Sequence, residues 1–330
     1  MYLIKNRTVF SSILLRKLMS RNFGIGSRDM AVAGRMVVDR KFHGGYQSKA
    51  DIAQRWGFFC KWAKTQGVKK MELITSELVI QYGRHLQSEL DAGERKSSSA
   101  PKNYVSAVNT VLRLATNEQW KPVKPGRDCG IQPRKYIPDE TKAMPESTHQ
   151  TAQRIVGERI SCLMELQRTF GLRFKESCLL NPKLALKEAI KYGRITLKAG
   201  TKGGKRRRVP CRPQGISALE KAILVQDGRS MISGNMTYFE FRKECYEQAR
   251  IAGIRFHSER HYYAQQRYQE ITSAPAPIDA GWSRKDRLLN LSHYLGISEE
   301  AAKQIDHDAR LQISIELGHN RVGITNVYVG

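Results

Sequence analysis

Apolar side chains recur every three to four residues over three stretches in the first third of the chain, which is typical of amphipathic helices. The first stretch begins near Ser48, a residue type that caps helices, and ends at Gly67. The second covers about residues 75–90, and the third begins near Ser99. The pattern predicts a small helical bundle over residues 45–118.

Residues 119–145 have a different character. They hold five of the eleven prolines, and their apolar residues follow neither a helical nor a strand period. Proline removes a backbone donor and interrupts regular elements. We therefore predict a Pro-rich basic linker between two domains, and a length of 330 residues agrees with two separate cores.

The second half returns to helical periodicity, with one stretch of strand character. Alternation at Ile195 and Leu197, a glycine-rich turn and a second run that ends at Val209 and Pro210 predict a β-hairpin. Helices are predicted around it, at about residues 147–168, 173–180, 215–225, 236–252, 257–270 and 298–317. The predicted fold class is mostly α with a small antiparallel β-sheet.

The charge balance is the first indication of function. The chain has 56 Lys and Arg against 31 Asp and Glu, a formal charge of +25 and a pI near 10.0. An excess spread over both halves of a globular chain favours nucleic acid over an acidic membrane surface. The six cysteines form no zinc or redox motif, which predicts reduced thiols and a cytoplasmic, nucleoid-associated protein.

Residues 1–44 are predicted to form a basic N-terminal arm. Six basic residues precede the first acid, Asp29. The same composition fits an organelle transit peptide, and Met19 is an alternative start of the protein.

Several small polar clusters in the second half are weak signals when taken singly. Arg173 and Glu176 have the i, i+3 spacing of a surface ion pair, and His257 with Arg260 has the same spacing at an ordinary helix start. A basic hairpin tip is usually a solvated loop, and a single aromatic residue near the C-terminus is usually a packed side chain. Their order along the chain carries more information, and the ordered set is Arg173, Glu176, Lys202, His257, Arg260, His319 and Tyr328.

This ordered set resembles the tyrosine recombinase (phage integrase) family. The resemblance covers residues 146–330, and the helical domain before them takes the position of the family's core-binding domain. It implies a two-domain clamp, with a helical core-binding domain and an α+β catalytic domain. It also implies site-specific cleavage and rejoining of DNA by transesterification, without a metal, ATP or another cofactor, for the integration of a mobile genetic element.

Phosphodiester cleavage of this kind needs a nucleophile, cations around the phosphate and an acid for the leaving alkoxide. Arg173 and Arg260 can each bind two non-bridging oxygens, in a planar geometry that lysine does not offer. His257 and His319 can add hydrogen bonds or move protons there. By the resemblance, Tyr328 attacks and forms a 3′-phosphotyrosine.

Lys202, at the tip of the predicted hairpin, is by the resemblance the acid that protonates the departing 5′ oxygen. Glu176 is expected to orient Arg173 or a neighbouring group. Other basic residues are predicted to contact the phosphates of duplex DNA, namely Arg95, Lys96, Lys102, Lys121, Lys124, Lys205, Arg206, Arg207 and Arg208.

Three features depart from the family pattern. Glu259 stands where the family usually has leucine, so the start of this helix is expected to pack differently. The 58 residues between Arg260 and His319 indicate an insertion over residues 273–310. Many relatives continue with a further helix that docks on a neighbouring subunit, so we expect either a truncated chain or another contact surface between subunits.

The expected partners are duplex DNA with attachment sites, further copies of the chain in a tetramer on DNA, and accessory DNA-bending proteins. Two alternatives stay open at this point. One is a catalytically silent DNA-binding protein of the same fold, acting as a repressor or architectural factor. The other is a type IB topoisomerase, which shares the chemistry.

Overall fold

The computed structural model of the chain divides into two compact units, Met1–Lys135 and Tyr136–Gly330. Each unit has a hydrophobic core of its own. No helix among the described residues has the length and apolar character that a membrane crossing requires. The described residues are 21–94, 99–133, 138, 140–319 and 321–330.

The first unit is built from helices. Their bounds are α1 (Met30–Lys41), α2 (Tyr46–Thr65), α3 (Ser76–Asp91), α4 (Ser99–Ala115) and α5 (Pro125–Cys129). The side chains of Asp29 and Thr75 cap α1 and α3 by accepting hydrogen bonds from backbone N–H groups of the first turn. Helix α2 begins at Tyr46 rather than near Ser48, because Gly45 supplies the extended residue that precedes the helix.

Trp56 lies at the centre of the first core, and α1 packs against it. Its indole Nε1 donates to the Met30 carbonyl at 3.0 Å, and Gly34 of α1 faces the ring. This differs from the predicted basic arm over residues 1–44, because apolar residues at helical spacing bury one side of α1 between its basic residues. Residues 1–20 of that arm lie outside the described residues.

The predicted linker over residues 119–145 also contributes to both cores. Val123 and Ile131 are buried in the first core, whereas Met144 belongs to the second. The amide of Asn109 accepts from the backbone N–H of Val123 at 3.0 Å and donates to its carbonyl at 2.7 Å. Isolated apolar residues therefore fix this stretch although it has no periodic pattern.

The second unit is helical around one small sheet. Its elements are α6 (Glu146–Ile155), α7 (Glu158–Phe170), α8 (Phe174–Leu179), α9 (Pro182–Tyr192), β1 (Arg194–Leu197), β2 (Arg207–Pro210), α10 (Pro213–Leu224), α11 (Tyr238–Ile251), α12 (His257–Thr272), α13 (Arg287–Leu295), α14 (Glu299–Glu316) and α15 (Val322–Val329). The single helix predicted over residues 147–168 is two helices, because Val156 and Gly157 are extended.

The sheet is the predicted antiparallel hairpin of β1 and β2. Ile195 pairs with Val209, and Leu197 pairs with Arg207. The two aliphatic residues of β1 and Val209 lie in the second core. The hairpin tip contains a short 3-10 turn, Lys202–Gly204.

Residues 273–310, predicted as an insertion, are mostly helical and partly belong to the core. Helix α13, which begins at Arg287, lies inside this stretch and is not among the predicted helices. Ala309 and Ile313 of α14 are fully buried in the second core. The predicted insertion therefore runs into a long core helix, whose apolar face packs on α12 and α15.

The contact between α1 and Trp56 gives a stability prediction. A Cβ added at Gly34 would lie 2.0 Å from Trp56 Nε1, so Gly34→Ala forces the indole ring or α1 to move. We expect it to lower the free energy of unfolding by about 1–3 kcal/mol. Urea unfolding followed by tryptophan fluorescence measures the loss.

Gly57→Ala in α2 is the matched control, because a Cβ at Gly57 meets nothing within 4 Å. Alanine favours a helix interior over glycine by about 0.5–1 kcal/mol, so this variant is expected to be at least as stable as the wild type. Equal effects of the two changes would contradict the packing of α1 against Trp56.

Candidate active site

Tyr328 lies in the last helix, α15, with 5% of its surface exposed. Its hydroxyl accepts a hydrogen bond from Arg260 Nε at 3.4 Å and lies 3.3 Å from His319 Nε2. Gln265 of α12 donates to the Tyr328 backbone carbonyl at 2.9 Å and fixes the end of the helix. The fold thus brings three of the predicted site residues into contact.

Arg260, in the first turn of α12, has no exposed surface. Its Nη1 donates to the Gly171 carbonyl, and its Nη2 donates to the Leu317 carbonyl at 2.5 Å. The same Nη2 lies 3.3 Å from His319 Nε2. Burial lowers the pKa of Arg260 to about 10, so the guanidinium stays cationic at neutral pH.

Arg173 and Glu176 form a reciprocal pair at the start of α8. Glu176 accepts from the Arg173 backbone N–H at 2.7 Å and from its Nη1 at 2.8 Å, while Arg173 Nη2 donates to the Leu317 carbonyl at 3.1 Å. Burial alone would raise the pKa of Glu176, but the charges of Arg207 and Arg173 outweigh burial and hold it below its usual value. Glu176 is therefore a carboxylate inside a cationic site.

The structure corrects the predicted role of Arg207 as a DNA contact. Its side chain is only 4% exposed, and its Nη2 donates to Glu176 at 2.6 Å and to the Gly171 carbonyl at 3.2 Å. Side chains alternate along a strand, so Arg207 and Val209 point inward while Arg208 points to solvent. Arg207 is a buried part of the site.

The three arginines converge on the C-terminal ends of two helices. Gly171 follows α7, and its carbonyl accepts from Arg207 and Arg260. Leu317 follows α14, and its carbonyl accepts from Arg173 and Arg260. Carbonyls at a helix C-terminus lack partners within the helix and carry partial negative charge. They offset the repulsion between guanidinium groups that are held close together.

Three histidine rings surround the ring of Tyr328. The ring centroids of His257, His261 and His319 lie 6.0, 4.7 and 6.0 Å from it. Loss of water around the His261 and His319 rings, followed by nearby positive groups, lowers their pKa values to about 3 and about 4. The pKa of His257 is lowered in the same direction by partial burial and by the charges of Arg260 and Arg173, although this residue keeps an exposed surface. All three are neutral imidazoles at neutral pH.

The sequence interpretation missed His261. It is buried on α12, one turn after His257, and residues at i and i+4 share a helix face. That spacing was the available signal. The structure adds His261 to the site as the histidine ring nearest to the tyrosine ring.

Lys202 begins the 3-10 turn at the hairpin tip and is exposed. Its positive charge is among those that lower the pKa of His319, so the tip lies within electrostatic reach of the site. Lys205, Arg206 and Arg208 are exposed on the same hairpin, and their contact with DNA phosphates stays a prediction.

The predicted DNA contacts of the first unit lie on or near its surface where they are described. Lys121 and Lys124 are exposed, and Lys102 is half-buried. Arg95 and Lys96 lie outside the described residues. Contact of these lysines with DNA stays a prediction.

The histidine pKa values predict how the site titrates. The unfolded chain takes up protons at histidine near pH 6.5, whereas these three folded rings do so only near pH 4 or below. Stability is therefore fully present above pH 6.5 and falls as pH is lowered towards 4. In NMR spectra of 15N-histidine protein at about pH 5.5, we expect these rings to remain neutral.

His149 provides the opposite control in the same spectra. Burial lowers its pKa, but hydrogen bonds to Glu165 and Glu259 outweigh burial and raise it to about 9. Its signals are expected to be those of an imidazolium at about pH 8. Titration of His261 and His319 near pH 6.5 would contradict the burial of these two rings.

The comparisons with known proteins agree with this geometry. Residues 135–266 match the family model described as Integrase. The Tn1549 transposon Integrase in complex with transposon right end DNA is similar over 92% of this chain and 95% of that chain, with 10% identity and a TM-score of 0.56. The same integrase in complex with circular intermediate DNA is similar over 92% and 96%, with 10% identity and a TM-score of 0.54. A search of curated proteins finds no match.

At 10% identity the structural similarity concerns the fold, and it confirms a mostly helical fold with a small antiparallel sheet. The family match covers the segment that contains Arg173, Glu176, Lys202, His257 and Arg260. The Integrase family model thus matches residues 135–266, and the chain has a fold similar to that of the Tn1549 transposon Integrase.

Proposed function

We propose that this protein is a site-specific DNA recombinase of a mobile genetic element, which cuts and rejoins strands through a 3′-phosphotyrosine. One observation carries the proposal: the Tyr328 hydroxyl contacts both Arg260 and His319 inside a cluster of buried guanidinium groups. A tyrosine in such surroundings is suited to attack an anion that the arginines hold.

The scissile phosphate would bind between Arg173 and Arg260. Arg173 has 22% of its side chain exposed, which makes it the most open of the three arginines. Arg260 is covered by Tyr328, whose hydroxyl takes a hydrogen-bonding position that a phosphate oxygen would take in the complex. Binding of DNA would therefore shift the hydroxyl from Arg260 Nε to the in-line position behind the phosphorus.

In the cleavage step, the Tyr328 oxygen forms a bond to phosphorus, and the bond from phosphorus to the 5′ oxygen breaks. The tyrosine proton moves to His319 Nε2, which is unprotonated at neutral pH and lies 3.3 Å away. Lys202 gives a proton to the departing 5′ oxygen. Attack by a 5′ hydroxyl reverses these transfers and reseals the strand, and the phosphotyrosine conserves the bond energy.

Arg207 and Glu176 act one layer behind the phosphate. Glu176 holds Arg173 at its Nη1 and Arg207 at its Nη2, so the carboxylate fixes the direction of the more exposed arginine. Arg173 and Arg207 would keep their hydrogen bonds to Glu176 when no phosphate is bound. The site is thus organised before DNA binds, which reduces the reorganisation that the transition state requires.

The substrate would be duplex DNA with attachment sites, bound by a tetramer of this chain with accessory DNA-bending proteins. The Tn1549 integrase structures contain transposon end DNA and circular intermediate DNA, which supports DNA of a mobile element as the substrate class. The charge of +25 supports binding that weakens steeply with salt.

The first test uses a nicked suicide duplex that carries an attachment site from the genome around the coding region. We expect the wild type to form a protein–DNA adduct that survives denaturation, and Tyr328→Phe to form none while it still binds the duplex. Gel electrophoresis after SDS treatment measures the adduct. Tyr294→Phe, at an exposed tyrosine, is the matched control and should keep wild-type adduct formation.

An adduct from Tyr328→Phe would overturn the assignment of the nucleophile. Binding without an adduct on authentic sites would favour a silent DNA-binding protein. Relaxation of one supercoiled circle without exchange between two sites would favour a topoisomerase.

Lys202 has a separate test through the leaving group. General acid catalysis contributes about 10²–10⁴-fold, so Lys202→Ala is expected to slow cleavage by that order while DNA affinity stays unchanged. A 5′-bridging sulfur leaves as a thiolate and needs no acid, so it should restore the rate. Equal slowing with oxygen and sulfur leaving groups would contradict the role of Lys202.

A further inference from the structure

Glu259 lies between two candidate catalytic residues, His257 and Arg260, but it faces the other way. Successive residues of a helix are about 100° apart, so Arg260 lies about 60° and Glu259 about 160° around the axis from His257. Glu259 has no exposed surface. It points from the back of α12 into the second unit, whereas its neighbours point to the tyrosine.

Two cationic side chains hold this carboxylate. Its Oε1 lies 2.6 Å from His149 Nδ1 of α6, and its Oε2 accepts from Arg168 Nη1 of α7 at 2.7 Å. Both partners are nearly fully buried, with 2% and 6% of their side chains exposed. The first turn of α12 is therefore tied by one side chain to two different helices.

The partners of Glu259 are held in turn by further contacts. Arg168 also donates to the Met144 carbonyl at 3.0 Å and to Glu146 at 2.7 Å, and its guanidinium carbon lies 3.1 Å from the centre of the Tyr262 ring. Tyr262 follows Glu259 by three residues on α12. Arg168 thus contacts two successive turns on the back of the catalytic helix.

His149 completes the network on the other side. Its second nitrogen, Nε2, lies 3.1 Å from Glu165. Because a carboxylate faces each ring nitrogen, both nitrogens are donors when the ring is protonated. A protonated His149 and Arg168 then give the buried Glu259 two cationic partners, which is the condition under which a buried carboxylate is tolerated.

A leucine at position 259, the usual residue in the family, would fill the space without fixing a direction. Hydrophobic contacts tolerate small rotations of a helix, whereas short charge-assisted hydrogen bonds at 2.6 and 2.7 Å do not. Buried ion pairs often add little net stability, and their value lies in geometric specificity. A network on this face is placed to set the rotation of α12.

We propose that Glu259, held by His149 and Arg168, is a positioning residue that sets the rotation of α12 and thereby places His257 and Arg260 against the scissile phosphate. The proposal rests on the proposed strand-cleavage function. It concerns three residues whose hydrogen bonds go to groups other than Tyr328. A misplacement of about 1 Å at a catalytic group can slow a reaction by about 10²-fold.

The test compares Glu259→Gln with Glu270→Gln in the full-length protein. Glu270 lies on the same helix and also pairs with two arginines, Arg212 and Arg267, but it is partly exposed and far along α12 from its first turn. We expect Glu259→Gln to slow cleavage of the suicide duplex by about 10²-fold with unchanged DNA affinity, and Glu270→Gln to leave both unchanged.

A second readout does not need cleavage at all. The pKa of His257, lowered to about 4 by burial and then by Arg260 and Arg173, should rise in Glu259→Gln if rotation of α12 carries the ring towards solvent and away from Arg173, whereas Arg260 turns with the helix. NMR titration of 15N-histidine protein measures it, and Glu270→Gln should not change it. If wild type forms no adduct, the proposed function fails, and this titration still decides the positioning role.

Glu259→Asp is a second variant that tests the proposal if Glu259→Gln does not fold. It retains the charge but withdraws the carboxylate by about one C–C bond, or about 1.5 Å, so intermediate slowing is expected. Three results would overturn the proposal: a wild-type cleavage rate in folded Glu259→Gln or Glu259→Asp, equal slowing by Glu270→Gln, or a loss of affinity that accounts for the whole effect.

Discussion

The site depends on three guanidinium groups that are held within hydrogen-bonding distance of the same two carbonyls. Arg207 and Arg260 share the Gly171 carbonyl, and Arg173 and Arg260 share the Leu317 carbonyl. One buried carboxylate, Glu176, cannot neutralise three cations. The carbonyls at the ends of α7 and α14 supply the remaining stabilisation, so the chain must bring two helix C-termini together before it can build this cluster of arginines.

This requirement explains why two glycines stand where they do. Gly171 and Gly318 have φ values of +58° and +72°, a conformation that lets a helix stop and leaves its last carbonyls free. A Cβ at Gly171 would also lie 2.5 Å from the Tyr263 ring, and one at Gly318 would lie 2.8 Å from Arg207. The glycines therefore end the helices and make room for the side chains that use the exposed carbonyls.

The sequence predicted most of the site because those residues lie in short ordered motifs, and the fold brings Arg173, Glu176, Arg260, His319 and Tyr328 together. It could not predict the direction in which Arg207 points, since the strand register decides that and four consecutive basic residues hide the alternation. Helix α1 was missed because it was assigned to a basic arm by the charge of the residues around it, and the contact with Trp56 shows what its apolar residues pack against.

The hairpin carries basic residues of two kinds, one buried at its base and others exposed towards its tip. Arg207 is fixed at the base by Glu176, whereas Lys202 lies at the exposed tip. A slip of one residue in the pairing would turn Arg207 outward and bring Arg206 or Arg208 inward, so the register decides which arginine can pair with Glu176. Gly203 and Gly204 lie in the tip with φ near +70°, a backbone conformation that glycine adopts without steric strain. The conformation of the tip is therefore separate from the strand pairing that places Arg207 against Glu176.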